Sequence, residues 1–235
     1  MRKLIIMLEM TIESLLLRIF YTLLEHYGPR KWWPAKTKFE VIVGAILVQS
    51  VAWKNARVAV NNLKKEGLLS PQAILSASHE EIATKIISSR FYNQKTEKLK
   101  SFCSNLIEHY DGLLSKMFSN TLSDLREDLL HIKGIGKETA DSILLYAGNK
   151  LSFVSDAYTK RWIERYGLFD GLSTYDQIRE FFMSNLPEDL YIYNEYHALI
   201  VHHSKSICKL VPQCHSCPIK RITKVIFCKF PENSE

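Results

Sequence analysis

The sequence lacks any long apolar run that is free of charge. Its most apolar window, at the N-terminus, contains Glu9, Glu13 and Arg18 and offers no small-residue cleavage site, so neither a membrane-spanning helix nor a signal peptide fits it. The apolar residues of this window recur at helical spacing. We therefore expect an amphipathic helix that docks on the protein, and no association with a membrane.

Strand patterns are also missing. No alternation of apolar and polar residues reaches a useful length, and the chain shows no tandem repeat, low-complexity tract or linker. Instead, apolar residues repeat every three or four positions in segments such as FEVIVGAILVQSVAWKNARVAVNNLKK and KTEKLKSFCSNLIEHY. Glycine, proline and small polar residues divide this pattern into roughly nine or ten helices. The sequence therefore predicts an all-α fold.

Charge of neither sign is in large excess. The 31 lysines and arginines stand against 25 aspartates and glutamates, which gives a formal net charge of +6. This balance favours a polyanionic partner, but many basic proteins never bind nucleic acid. The charge alone therefore identifies no partner.

Cysteine is scarce except near the C-terminus. Cys103 stands alone in a helical pattern and is expected to be a buried small hydrophobe. The other four cysteines lie between Cys208 and Cys228. Because no export signal is present, they indicate metal ligation rather than disulfides.

The segment LLHIKGIGKETADSILLYAG predicts two helices joined by a tight turn. The first helix ends near His131, Gly134 and Gly136 permit positive φ, and the second helix begins near Lys137. The free N–H groups of the turn and of the new helix form a site for a phosphate, which Lys133 and Lys137 flank. An ordinary glycine-capped turn between helices explains the pattern equally well.

Asp156 follows this pair of helices through the connector NKLSFVS and directly precedes the next helical pattern, AYTKRWIERYG. A helix N-cap is its simplest explanation. The whole unit, IKGIGKETADSILLYAGNKLSFVSDAYTKR, resembles the helix-hairpin-helix, connector and aspartate of the endonuclease III superfamily of DNA glycosylases. SSRFYNQKTEKLK and YHALIVHHSKSIC resemble two further segments of that superfamily, so the resemblance runs from about residue 38 to 228.

The resemblance implies a two-lobed helix-hairpin-helix DNA glycosylase fold with a C-terminal iron–sulfur cluster loop. Residues 38–150 would form a continuous helical-barrel domain with the hairpin, and residues 1–37 plus 151–235 a second helical domain. Asp156 would be the catalytic carboxylate that stabilises an oxocarbenium-like sugar. The hairpin would bind double-stranded DNA and is a candidate site for a monovalent cation; its implied DNA contacts are Lys133, Gly134, Gly136, Lys137 and Thr139.

Members of the superfamily that also cut the strand keep a lysine early in the second hairpin helix, where its amine forms a Schiff base. Glu138 stands at that position here, and Lys137 lies about 100° around the helix. A carboxylate cannot form an imine, so we expect a glycosylase without lyase activity. A first-turn acid that complements the helix dipole explains Glu138 as well.

Three of the four tryptophans come before residue 54. The segment YGPRKWWPAKTKFEVIVGAILVQSVAWKN resembles the 3-methyladenine DNA glycosylases of the superfamily. By that resemblance Trp32, Trp33, Pro34 and Trp53 line a pocket for a flipped, positively charged base, which aromatic rings attract by cation–π interaction, and Gln49 fills the gap in the duplex. The alternative role for the tryptophans is a plug between two packed domains. The alternative for Gln49 is simply a polar residue at a helix end.

Cys208, Cys214, Cys217 and Cys228 have the spacing C-x5-C-x2-C-x10-C. The resemblance implies that they hold a [4Fe–4S] cluster, although superfamily members use C-x6-C-x2-C-x5-C and four thiolates also hold zinc. Lys205, in HHSKSIC, is expected near the cleft, either as a buried, modified lysine or as a phosphate contact.

The sequence thus predicts a monofunctional glycosylase that excises 3-methyladenine-type purines from damaged double-stranded DNA in base excision repair. We expect a cytoplasmic, nucleoid-associated monomer. One alternative is an endonuclease III-like glycosylase and lyase for oxidised pyrimidines, which Glu138 and Trp53 disfavour. The other is a non-catalytic helix-hairpin-helix DNA-binding module with structural zinc.

Overall fold

The computed structural model of this chain describes residues 11–168 and 173–223. Within these ranges the backbone forms helices and connecting loops, and no strand is present. The prediction of an all-α fold is therefore confirmed. No helix in the same ranges is long and apolar enough to cross a membrane.

The α-helices of the described residues are, in chain order, α1 (Ile12–Tyr27), α2 (Lys38–Leu47), α3 (Trp53–Lys65), α4 (Pro71–Ser76), α5 (His79–Lys85), α6 (Tyr92–Tyr110), α7 (Leu114–Met117), α8 (Leu122–His131), α9 (Lys137–Ser142), α10 (Ala157–Arg165), α11 (Tyr175–Asn185), α12 (Leu190–Ser206) and α13 (Lys220–Thr223). A π-helical turn, Ile143–Ala147, continues α9, and 3-10 turns lie at Ile87–Ser89 and Cys214–Ser216. The sequence predicted roughly nine or ten helices, fewer than the described residues contain, because α4, α7 and α13 are too short to show a period.

The chain divides into two compact units. One unit is Trp33–Lys150, which we call the central unit. The other joins Met1–Trp32 to Leu151–Glu235, and we call its described residues the terminal unit. The terminal unit is therefore built from two separate stretches of the chain.

Helix α2 is the core helix of the central unit. Every residue from Phe39 to Leu47 is buried, so this helix is enclosed all round rather than presenting one apolar face. Thr37 caps its start by accepting the N–H of Glu40 at 3.1 Å. The buried Glu40 carboxylate accepts the Lys36 N–H at 3.1 Å and the Lys64 ammonium at 3.0 Å, which ties α3 to the start of α2.

A buried lysine supplies hydrogen-bond donors at the C-terminal end of α2. The Lys95 ammonium, on α6, donates hydrogen bonds to the carbonyl oxygens of Leu47 at 2.8 Å and Ser89 at 2.5 Å, and the residue is only 2% exposed. Burial, followed by the charge of nearby Lys98, lowers the pKa of Lys95 to about 8. Because buried carbonyls need donors, Lys95 fixes the point at which α2 ends.

A buried ion pair joins the two helices of the hairpin. Asp141, on α9, is fully buried, and Arg126, on α8, binds both of its carboxylate oxygens. The Arg126 Nε–Asp141 Oδ1 distance is 2.9 Å and the Nη2–Oδ2 distance is 3.1 Å. This two-point contact sets the angle between α8 and α9 more tightly than apolar packing alone would.

We predict that Asp141→Asn lowers the free energy of unfolding by about 3 kcal/mol, because it leaves a partly buried guanidinium without its counter-charge. Denaturant unfolding of the intact protein measures this change. Glu127→Gln, which removes an exposed carboxylate from α8, is the matched control and should change stability by less than about 0.5 kcal/mol. Equal effects of the two substitutions would contradict a structural role for the pair.

Aromatic side chains form much of the core of the terminal unit. Phe153 and Phe182 stack with ring centroids 4.1 Å apart, and Tyr196 of α12 is fully buried beside them. The Tyr196 hydroxyl donates to the Leu16 carbonyl of α1 at 3.0 Å. The predicted docking of the N-terminal helix is confirmed for residues 12–27, and residues 1–10 lie outside the described ranges.

Candidate functional site

The turn between α8 and α9 begins and ends where the sequence predicted. Helix α8 ends at His131 and α9 begins at Lys137. Gly134 has φ +87°, as expected, but the expectation of positive φ at Gly136 is wrong. Gly136 is the N-cap of α9 with φ −93° and ψ 176°, because the residue before a helix adopts an extended backbone.

Gly134 is needed for close packing as well as for its φ. A Cβ there would collide with Cγ of Lys98. The Lys98 ammonium donates to the side-chain oxygen of Gln49 at 2.5 Å. The amide nitrogen of Gln49 donates to the Thr139 hydroxyl at 2.8 Å and to the Gly134 carbonyl at 3.3 Å. Gln49 is therefore bound to the hairpin.

The predicted hairpin contacts differ in exposure. Lys133, Gly136, Lys137 and Glu138 are exposed, whereas Thr139 is buried and its hydroxyl is used by Gln49. The Lys133 ammonium lies 3.3 Å from the Glu97 carboxylate, and both side chains are well exposed. The start of α9 thus presents backbone N–H groups and the exposed lysines Lys133 and Lys137, which suit an anion.

Three aromatic rings form a cluster in the central unit, which we call the aromatic cluster. The Trp33 and Trp53 ring centroids are 5.2 Å apart and meet edge to face at 85°. Tyr146 lies 5.6 Å from Trp33 at 59°. All three are partly buried and pack on the core. The structure thus brings together two of the four predicted pocket residues, while Trp32 belongs to the other unit.

Sequence reasoning missed Tyr146. The residue lies in the π-helical turn that ends the second hairpin helix. A π-helical turn contains more residues than an α-helical one and often marks a functional position. It therefore shifts the side chains that follow away from the positions that a 3.6-residue period predicts, so no periodic pattern could place Tyr146 beside Trp33.

The sequence analysis also did not single out Glu195 and Phe91, two residues with unusual surroundings. Glu195, buried in α12, accepts the backbone N–H groups of Arg30 at 2.5 Å and Lys31 at 2.7 Å, which fixes the chain just before Trp32. Phe91 is 60% exposed in a turn where it and Arg90 both have positive φ. Such strained, non-glycine residues gather at functional sites. Neither the hydrogen bonds of Glu195 nor the positive φ of Phe91 can be read from a single sequence.

Asp156 is the N-cap of α10 in the terminal unit. One carboxylate oxygen, Oδ1, accepts the Thr159 N–H at 2.8 Å, which confirms the capping interpretation. The other, Oδ2, lies 3.6 Å from His197 Nε2 of α12, and the Asp156 side chain is 13% exposed. Burial pushes its pKa upward, but the nearby His197 and the hydrogen bond from Thr159 outweigh burial, so the pKa of Asp156 is lowered. The carboxylate is therefore ionised.

We predict that His197→Asn raises the pKa of Asp156, because burial remains while the neighbouring imidazole is lost. A carboxyl group with a lowered pKa stabilises the fold above its unfolded pKa, and this stabilisation disappears as pH falls through the folded value. The variant should therefore lose stability at higher pH than the wild type on acidification. Carbon NMR of the Asp156 carboxyl group against pH measures the shift. His202→Asn, on the same helix, is the control, and equal titration curves in all three proteins would contradict the prediction.

Cys208, Cys214 and Cys217 lie close enough to influence one another electrostatically, without forming a complete metal site. Burial raises the pKa of Cys217, and the thiols of Cys208 and Cys214 add to that rise. Arg165 Nη1 donates to the Cys208 sulfur at 3.3 Å. Among residues 11–168 and 173–223, no three His, Cys, Asp or Glu side chains are arranged to hold a metal. The fourth predicted ligand, Cys228, lies outside the described residues.

Cys103 and Lys205 have contrasting environments. Cys103 is buried in the core, which confirms the prediction, and burial raises its pKa to about 12. Lys205 is exposed, so the alternative of a buried lysine is wrong. Its ammonium lies 4.9 Å from the centre of the Tyr158 ring, and the Arg161 guanidinium lies 5.2 Å from the same ring. Two cations therefore surround the aromatic residue that follows Asp156 by two positions.

This chain matches known proteins over most of its length. Residues 43–188 match the family described as HhH-GPD superfamily base excision DNA repair protein. A proposed DNA repair glycosylase of Methanocaldococcus jannaschii is 48% identical to this chain over 209 residues, which are 88% of this chain and 94% of that protein.

Two solved structures resemble this one. A crystal structure of H. pylori 3-methyladenine DNA glycosylase bound to 1,N6-ethenoadenine has a TM-score of 0.70 at 27% identity, over 83% of this chain and 95% of that chain. A trapped endonuclease III–DNA covalent intermediate has a TM-score of 0.76 at 19% identity, over 91% of this chain and 96% of that chain. The second likeness concerns the fold alone.

Proposed function

Because this chain belongs to the HhH-GPD superfamily of base excision DNA repair glycosylases, we propose that it releases alkylated purines of the 3-methyladenine type from double-stranded DNA and leaves an abasic site. The observation that carries the choice of base is the aromatic cluster of Trp33, Trp53 and Tyr146. An alkylated purine is flat and positively charged, so it binds to electron-rich rings by stacking and cation–π attraction. The 27% identity to a 3-methyladenine DNA glycosylase supports the same choice.

Asp156 supplies the negative charge that the reaction needs. As the bond between base and sugar breaks, positive charge develops on the sugar, and a fixed, ionised carboxylate stabilises it. Asp156 is held by the Thr159 N–H and its pKa is lowered, so it is ionised when the substrate arrives. An alkylated base already carries positive charge and leaves readily, so the reaction requires no strong general acid.

The hairpin supplies affinity for the DNA backbone. The N–H groups at the start of α9 and the exposed Lys133 and Lys137 suit a phosphate group. Gln49, which is bound to Thr139 and Lys98, is held ready to enter the duplex where the damaged base leaves. In this proposal the protein works as a monomer on nucleoid DNA in the cytoplasm.

Glu138 supports base removal without strand cleavage. It is exposed in the first turn of α9, at the position where the lyase members of the superfamily carry their amine. A carboxylate there cannot attack the sugar to form an imine. The rival function, an endonuclease III-like glycosylase and lyase, would require another amine to act, and Lys137 is the nearest in sequence.

The proposed function predicts that the wild-type protein frees methylated purines from alkylated DNA, with strand breaks only after alkali. Asp156→Asn should slow release by about 100-fold or more, because the charge that stabilises the sugar is lost. Asp189→Asn is the matched control, since Asp189 caps α12 in the same way. Single-turnover assays on alkylated and oxidised duplexes measure both activities.

Two results would contradict this function. Release of oxidised pyrimidines with strand cuts before alkali, together with a borohydride-trapped adduct that Lys137→Ala abolishes, would establish the lyase. No base release from either duplex, with DNA binding retained, would leave a binding module.

We also propose that Cys208, Cys214, Cys217 and Cys228 hold a [4Fe–4S] cluster. Three of these thiols lie close enough to influence one pKa, and four thiolates are the usual donors to this cluster. When bound, such a cluster would join the residues after α12 into one compact loop. Tyr166 and Arg165 would then contact the sulfurs of Cys217 and Cys208.

The cluster assignment predicts about four iron atoms per chain and absorption in the visible range. Cys217→Ser should lose both, whereas Cys103→Ser, which changes a cysteine in the other unit, should keep both. A colourless protein that contains stoichiometric zinc would overturn the assignment in favour of a structural zinc site.

A further inference from the structure

A glycine in the middle of α2 has no backbone reason to be there. Gly44 is buried in the most enclosed helix of the central unit, and it is not among the residues with positive φ. Alanine is preferred over glycine inside helices. The reason for the glycine must therefore lie in what approaches it.

What approaches it is the indole of Trp33. A Cβ on Gly44 would lie 2.9 Å from Trp33 Nε1, 3.2 Å from Cζ2 and 3.3 Å from Cε2. All three distances are shorter than ordinary contacts between carbon atoms. The missing side chain leaves a recess on α2, and one edge of the Trp33 ring occupies it.

The recess decides where the other rings meet Trp33. With its edge against Gly44, Trp33 meets Trp53 edge to face at 5.2 Å and Tyr146 at 5.6 Å. A tryptophan side chain has only two rotatable bonds, so the ring moves as one rigid plate. A methyl group in the recess would push this plate outward, because the helix backbone beneath it cannot yield.

We propose that Gly44 is a specificity-determining residue, which seats Trp33 at the depth at which the aromatic cluster accepts a flat, cationic purine. This inference rests on the proposed function and names the residue that sets the depth of its base pocket. It also makes Tyr146 part of the pocket wall. A side chain at position 44 would move Trp33 into the space that the base needs and reduce cation–π attraction.

A double-mutant cycle tests whether Gly44 sets the position of Trp33. Gly44→Ala should slow the release of a cationic methyl-purine by about tenfold, the equivalent of losing a cation–π contact, and should slow release of neutral hypoxanthine less. Trp33→Phe removes the ring edge that meets the recess. In the Trp33→Phe background the added methyl group should therefore have at most a twofold effect. Thermal melting of each variant shows whether it is folded.

A second measurement does not depend on activity. Coupled aromatic rings contribute to near-ultraviolet circular dichroism, so Gly44→Ala should change this spectrum in the wild-type background and leave it unchanged in the Trp33→Phe background. Unchanged spectra and rates in Gly44→Ala would overturn the proposal. Equal loss of release rate in both backgrounds would overturn it as well, because the methyl group would then act elsewhere.

Different results would contradict the proposed function and the role of Gly44. A wild-type protein that releases no alkylated base overturns the proposed function. If the wild type releases alkylated bases but Gly44→Ala retains the full preference for cationic over neutral bases, only the role of Gly44 is overturned. A loss of preference that Trp33→Phe suppresses supports both.

Discussion

The hydrogen bonds of the Lys95 ammonium allow an entirely buried helix to end inside the protein. Helix α2 has no face toward water along Phe39–Leu47, so its last carbonyls cannot be hydrated, and Lys95 supplies the donor at Leu47. Lys98, one turn later on α6, reaches Gln49. Two lysines on one helix thus fix both the end of α2 and the polar residue that follows it.

The candidate site in the central unit depends on that fixed helix. The Trp33 ring packs against Gly44 in the middle of α2. Gln49, just beyond the end of α2, forms hydrogen bonds with the hairpin. The hairpin helix α9 in turn begins with exposed residues, and the π-helical turn that continues it carries Tyr146. The groups suited to a phosphate and to an aromatic base are therefore built on two helices that pack against each other.

In the terminal unit Asp156 caps a helix and is also the proposed catalytic carboxylate. Burial alone would raise the pKa of Asp156 and favour its neutral form. The Thr159 N–H at the helix start and the nearby His197 reverse that effect. Capping and catalysis are therefore compatible explanations of Asp156, because the hydrogen bond that caps α10 is one of the interactions that keep the carboxylate charged.

The sequence by itself determined the features that depend on nearby residues. The all-α class follows from the apolar period. The end of α8 and the start of α9 follow from the glycines of KGIGK, and the capping role of Asp156 follows from its place before a helical pattern. Each reflects hydrogen bonding over three or four residues, which composition and spacing report directly.

Tertiary structure alone decided the partners of these residues. Tertiary packing brings together His197 and Asp156, Glu195 and Arg30, Tyr146 and Trp33, and Trp33 and Gly44, and in each pair the two residues lie in different helices or loops. Such contacts depend on how helices pack and on which side chains face one another. Spacing along one sequence contains no information about that packing, so only the folded chain places these groups together.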